Sequence, residues 1–134
     1  MAQLMEGFPP PAEAQVTLAN WRNPPFARWA FQHVREIVPS ADIANDPDNV
    51  WVLPPAPKDL GGVRIDGGTQ GPFKGPLTLD QFLAHTNTDG FLVLHRGRVA
   101  CERYFNDMTG TTPHILMSVT KSLLGLLSGV LVAK

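Results

Sequence analysis

Apolar positions follow three different patterns along the 134 residues. In the first, Phe26, Trp29, Ala30, His33, Val34 and Ile37 recur at spacings of three and four, the period of one helix face. Asn23 suits an N-cap, Pro24 or Pro25 the first helical turn where proline is tolerated, and Pro39 a stop. The pattern predicts an amphipathic helix ending near Val38, with His33 on its buried stripe as a core or rim residue. The second pattern is a pair of short runs, Phe91-Leu92-Val93-Leu94 and Val99-Ala100-Cys101-Glu102-Arg103-Tyr104-Phe105, joined through Arg96-Gly97. This is the strongest β signal in the chain and predicts an antiparallel hairpin. Its first strand is apolar on both faces, so it is expected to be covered on both. The third pattern is a run from Ser122 to Val132 that is apolar nearly all round. A helix of that kind belongs in a protein interior or a membrane.

Between these patterns the chain is punctuated. Residues 1–20, with Pro9-Pro10-Pro11, show no period and are expected to be loose or draped over a surface. Asp46-Pro47-Asp48-Asn49 reads as a turn, Val50–Leu53 as a short extended piece, and Pro54-Pro55-Ala56-Pro57 as a stiff connector. Val63-Arg64-Ile65 reads as a strand amid Gly61, Gly62, Gly67, Gly68, Gly71 and Gly75. Those glycines do not follow a strand and open a helix, so they indicate no phosphate loop. Thr78-Leu79-Asp80-Gln81 has the form of a capping box and opens a short helix to about His85 that buries Leu79, Phe82 and Leu83.

Composition adds exclusions. A net charge of −1 gives no reason to expect nucleic acid or an anionic surface as partner. One cysteine, Cys101, excludes an internal disulfide and fits a reducing compartment; the first seven residues lack the basic start and apolar centre of a secretion signal. A cytoplasmic protein is expected. His33, His85, His95 and His114 have no ligand spacing with one another or with Cys101, so neither a metal site nor any other cofactor is expected.

The candidate chemistry stands at the mouth of the apolar run. Ser118 and Lys121 lie three residues apart, on one face of a helix, so the hydroxyl and the amine could meet. A hydroxyl becomes a nucleophile when a neutral amine beside it accepts its proton. Burial and the positive end of the helix dipole both favour the uncharged amine, and the same dipole favours an anionic oxygen near the Ser118 N–H. By itself Ser-x-x-Lys is nonspecific: a serine opening a helix is ordinarily a cap, and a lysine in the first turn ordinarily reaches solvent. The greasy helix that follows makes a charge at its mouth costly, and that raises the weight of the catalytic alternative.

Met117-Ser118-Val119-Thr120-Lys121-Ser122-Leu123-Leu124-Gly125 resembles the β-lactamase-related, penicillin-binding-protein-like serine hydrolases. So do the hairpin Gly90–Arg98, the run Glu102-Arg103-Tyr104-Phe105, and Trp21–Phe26 with Trp29–Glu36. The similarity is greatest to the branch containing 6-aminohexanoate-dimer hydrolase and its esterase-like relatives, and runs from about Trp21 onward. It implies an α+β fold of the α/β sandwich type: an N-terminal helix, the opening hairpin of a central sheet, and a buried nucleophile helix. It also implies a serine hydrolase that cleaves a small amide or ester through an acyl-enzyme, with Ser118 as nucleophile and Lys121 as base. On this resemblance residues 1–20 are a loose leader and 21–134 the N-terminal portion of a larger domain. The family's catalytic Tyr-x-Asn element follows the serine. Tyr104-Phe105-Asn106 has its letters but precedes Ser118 on the hairpin, so Tyr104, the single tyrosine, is read as a strand residue. The family's later Lys/His-Thr/Ser-Gly strand is likewise without a counterpart. Without neighbours, Leu123, Leu124, Leu126, Leu127, Val130 and Leu131 would each forgo about 1.5–3 kcal/mol of burial, which together rivals the stability of a whole domain.

A rival reading makes 115–133 a membrane anchor of a non-catalytic, tail-anchored protein, with Gly125-x-x-x-Gly129 as a helix-pairing face. Lys121 opposes it, because the charge-free part from Ser122 onward is too short to span and a lysine within a span costs about 2.5–3.5 kcal/mol.

Overall fold

A computed structural model describes residues 3–41, 46–68 and 73–133. The chain divides into two compact units, Met1–Ala41 with Pro113–Lys134 and Asp42–Thr112.

In the first unit the core gathers around Val16, Trp21 and Ala30, and Ala30 has no exposed surface at all. Phe26, Trp29, Phe31, Val34, Ile37 and Ile115 pack against it, and Trp21 meets Phe31 edge-on at 6.4 Å between ring centroids. Phe26, Trp29, Ala30, Val34 and Ile37 belong to the predicted stripe, whereas Phe31 does not, and the continuous helix is not formed. Helix α1 covers only Ala27–Ala30, and a separate 3-10 turn covers Val34–Glu36. The break has a local cause. The Trp29 carbonyl, which an α-helix would offer to the His33 N–H, instead accepts from the Gln32 N–H at 3.2 Å and from His33 Nδ1 at 2.8 Å. The His33 N–H then donates to Ala30 one residue closer, and the imidazole stacks on Trp29 at 4.1 Å. Asn23 is not the cap; that position falls to Phe26, with no side-chain bond. The first twenty residues contribute to this core. Ala14 and Val16 are buried, and the Met5 N–H donates to the Ala14 carbonyl.

The second unit holds the β structure. Strand β1 (Arg64–Asp66) pairs antiparallel with β2 (Pro76–Thr78), and β3 (Gly90–His95) pairs antiparallel with β4 (Arg98–Tyr104) in the register Gly90 to Tyr104 and His95 to Arg98. Helix α2 (Leu79–His85) opens on the predicted capping box. Thr78 Oγ1 accepts from the Gln81 N–H at 3.1 Å, and Gln81 Oε1 accepts from the Thr78 N–H at 2.9 Å. Leu79 and Leu83 are buried and Phe82 half-buried.

The β3–β4 turn places both Arg96 (φ 53) and Gly97 (φ 74) in the left-handed region, the conformation of a two-residue hairpin turn that matches strand twist. Glycine adopts this freely and arginine does not, so Arg96→Asn is expected to raise stability by about 0.4–1 kcal/mol in urea unfolding.

Two features differ from the sequence-based expectations. Pro54–Lys58, read as a connector, runs parallel to β4: the Ala56 and Lys58 N–H groups donate to Val99 and Ala100, and the Val99 N–H donates to Pro54. Prolines at 55 and 57 have no N–H to give and alternate with the two donors, which confines this segment to a sheet edge. The expectation that β3 is covered on both faces is also corrected, since Leu92 and Leu94 stand about half exposed. No described element packs on that face.

Helix α3 (Val119–Val132) carries a further correction. It forms where the apolar run predicts, but none of its residues is buried, so the helix expected to be buried is exposed. Leu124, Leu127 and Leu131 are 63%, 63% and 73% exposed. The membrane reading is corrected as well. Among the described residues no helix is long and apolar enough to cross a membrane. At 14 residues, α3 spans about 21 Å against the roughly 30 Å of a bilayer core.

Candidate active site

Ser118 reaches its position through a short chain of constraints. Ile115, packed against the first core, donates its N–H to the Phe31 carbonyl at 2.8 Å. His114 meets the Phe31 ring edge-on at 6.1 Å. The chain then leaves the core through Leu116 and turns sharply at Met117, whose φ of 47 places a non-glycine residue in the left-handed region. Such a conformation costs about 1–2 kcal/mol and persists only where the surroundings hold it. Ser118 follows at the N-cap of α3, with φ −71 and ψ −9.

The first turn of α3 is tight. Val119, Thr120 and Lys121 donate to the carbonyls of Leu116, Met117 and Ser118 at 3.0, 3.3 and 3.0 Å. Each bond spans three residues rather than four, as 3-10 turns at helix termini do. This occupies the N–H groups an N-cap serine would otherwise satisfy, and the Ser118 hydroxyl makes no capping bond. Ser118 is therefore not acting as a cap, which removes the bland explanation for a serine at this position. Its own N–H has no acceptor among the described residues. No acidic side chain lies in the first turn to offset the positive end of the 14-residue helix.

Lys121 sits one turn further on, and both it and Ser118 are exposed. No hydrogen bond joins Ser118 Oγ to Lys121 Nζ in this chain. The two residues thus lie one helical turn apart at the start of α3, with both side chains in water.

Tyr104 belongs to the second unit, at the end of β4. Its hydroxyl donates to the Glu102 carboxylate two residues away. That bond, with the negative charge beside it, holds the phenol above its ordinary 10.0. Asn106 Nδ2 bonds the buried Asp89 at 3.1 Å. The Tyr104-Phe105-Asn106 triplet is therefore engaged within the hairpin and the turn after it. Because Tyr104 is the single tyrosine, the prediction is clean: the phenolate absorbance should rise with a midpoint above 10.0, and Glu102→Ala should bring it back toward that value. The sign follows from which form is held. The folded chain favours the neutral phenol, so this contribution to stability is present below pH 10 and lost as pH passes the raised value.

Sequence reasoning singled out Ser118 and Lys121 from their spacing, the apolar run that follows and the family resemblance. It missed the left-handed Met117 and the Ile115–Phe31 bond, which have no sequence signal: methionine rarely marks a positive φ.

Over nearly its whole length the chain is related to a hydrolase. That relative is the 6-aminohexanoate-dimer hydrolase of Paenarthrobacter ureafaciens, 36% identical over 127 residues, which are 93% of this chain and 29% of the relative. A solved structure from Bacillus anthracis, assigned as a 6-aminohexanoate-dimer hydrolase, matches with a TM-score of 0.61 and 30% identity over 71% of this chain and 24% of that one. The chain spans under a third of the length of either. No protein-family profile matches it. The α+β character expected from the sequence agrees with this neighbour and with the mixture of helices and small antiparallel sheets.

Proposed function

We propose that this chain carries the nucleophile segment of a serine hydrolase that cleaves small amides or esters through an acyl-enzyme, in a fold of the β-lactamase-related type. Ser118 attacks the carbonyl carbon, Lys121 accepts the hydroxyl proton, and the Ser118 N–H donates to the oxygen that becomes an oxyanion. Lys121 then returns the proton to the leaving amine or alcohol, and water releases the acyl group by the same route in reverse. The observation that carries the reading is the turn itself: a serine held after a left-handed residue, at the start of a helix, with its hydroxyl and its N–H both uncommitted. Left-handed non-glycine residues of this kind cluster at functional sites. The relationship to named hydrolases supports the same class of reaction.

For Lys121 to act as a base its ammonium must be desolvated, and the exposed helix of this chain does not do that. Turnover is therefore assigned to a form in which α3 is covered, and the chain alone is expected to show none. The test is a hybrid in which this chain replaces its matching segment in the P. ureafaciens relative. Treated with a fluorophosphonate, the hybrid should take up the label at Ser118, located by peptide mass spectrometry. Labelling at another serine, or none with the hybrid folded, refutes the assignment.

A further inference from the structure

Beside the core of the first unit lies a hollow of about 500 Å³ in which the chemistry assigned to Ser118 and Lys121 has no part. Leu18, Ala19, Trp21, Arg22, Asn23 and Val38 line it, all within residues 1–41. Its walls are fixed by bonds within that segment. Asn20 pins the turn from Thr17 to Trp21 with both ends of its amide: Oδ1 accepts from the Thr17 N–H at 2.8 Å, and Nδ2 donates to the Gln15 carbonyl at 2.9 Å. The Trp21 N–H donates to the Thr17 carbonyl at 3.0 Å, and the Val38 N–H to the Val34 carbonyl at 3.0 Å. Trp21 itself is buried and meets Phe31 edge-on, so its ring is held by the core.

Arg22 is the charged group at this hollow. Its Cζ lies 4.6 Å from the centroid of the Trp21 ring, which lays the guanidinium on a surface that is already rigid. Among the described residues no carboxylate pairs with it and its N–H groups donate to no acceptor. The Asn23 side-chain amide makes no bond there either, the helix cap having passed to Phe26. Leu18 stands 67% exposed. We propose that the hollow is a binding site for a small monocarboxylate with a short alkyl chain. The planar fork of a guanidinium matches the two oxygens of a carboxylate, and stacking on Trp21 reduces the side-chain freedom lost on binding. One cation beside one neutral amide balances a single negative charge, not the nearly two of a phosphate monoester. Leu18, Ala19 and Val38 take an alkyl chain out of water, from which a fully polar anion gains nothing. The site goes beyond the hydrolase reading and uses neither Ser118 nor Lys121, so each stands or falls without the other.

The test is titration of the full chain with sodium hexanoate, followed by nitrogen-edited NMR of the backbone amides, the Trp21 indole and the Arg22 guanidinium. A saturable shift confined to residues 17–23 and 38 is expected. Hexanoate should bind about tenfold more tightly than acetate or better, and hexylamine should produce no such shift. Arg22→Gln should weaken hexanoate by about tenfold or more, and Arg22→Lys, which keeps the charge and loses the fork, by about fivefold. Should exchange at Arg22 disturb the fold, Leu18→Asp at an exposed side chain sets a like charge against the carboxylate and should abolish the shift. N-acetylleucine compared with hexanoate separates a peptide C-terminus from a free alkyl acid: saturation by either supports the carboxylate site, and the tighter of the two names its source. No saturation by either acid, acetate binding as well as hexanoate, Arg22→Lys binding as well as the parent, or Leu18→Asp leaving the shift intact would each overturn the proposal.

Discussion

In the hybrid hydrolase, Ser118→Ala is expected to lower kcat on a chromogenic ester by about four to six orders of magnitude while KM changes little. The size follows from the role. The acyl-enzyme path needs a bond from Ser118 Oγ to carbon, and of the hydroxyls near this turn, Thr120 and Ser122 included, only that of Ser118 directly follows the left-handed Met117. What survives is the contribution of the oxyanion donor and substrate binding. Lys121→Ala should fall nearly as far, because an alcohol that keeps its proton is a poor nucleophile at neutral pH. Lys121→Arg should not rescue it, since a guanidinium stays protonated and cannot accept. The double variant should be no worse than the poorer single, as residues acting as a unit are not additive. Stopped-flow measurement of the acylation burst separates these outcomes from a slow deacylation. Ser118→Ala retaining more than about 1% of the parental burst would move the nucleophile elsewhere.

What the sequence conveyed depended on how local the cause was. The Thr78–Gln81 cap and the Arg96-Gly97 turn are closed by residues within four positions, and both appear as expected. The helix expected from Pro24 or Pro25 to Val38 rested on a period that is real, since Ala30 is buried and Phe26, Trp29, Val34 and Ile37 pack on the core. A period reports which side chains face inward, not whether the backbone stays helical between them. Here the backbone bonds shift to three-residue spacing at Gln32 and His33, with the imidazole on the same Trp29 carbonyl, and the helix ends early. Pro54–Lys58 was hidden for the opposite reason: its partner, β4, lies more than forty residues away, and proline count argues against a strand unless the edge position is known. At the candidate site, spacing brought Ser118 and Lys121 to one turn, as expected from the period of a helix. Their surroundings depend on residues distant in sequence, and those a local pattern does not contain.

Leu127→Ala should cost this chain alone less than about 0.5 kcal/mol in urea unfolding, and should cost the hybrid about 2–5 kcal/mol. In the chain Leu127 is 63% exposed, so truncation removes little burial, and alanine is at least as good a helix former as leucine. In a fold that encloses α3 the same truncation leaves a cavity the size of the missing side chain, whose cost depends on how far the neighbours can collapse. Leu124→Ala and Leu131→Ala should show the same contrast, and their similar behaviour would separate burial on all faces from burial along one stripe. The comparison also bears on the chemistry. Covering these leucines is what would remove water from around Lys121, so a stability difference at Leu127 and a reactive Ser118 should appear together or not at all. Should Leu127→Ala be neutral in both settings, α3 would be solvated even in the longer fold. The amine would then keep its hydration, and a serine hydrolase mechanism through Lys121 would lose its physical basis.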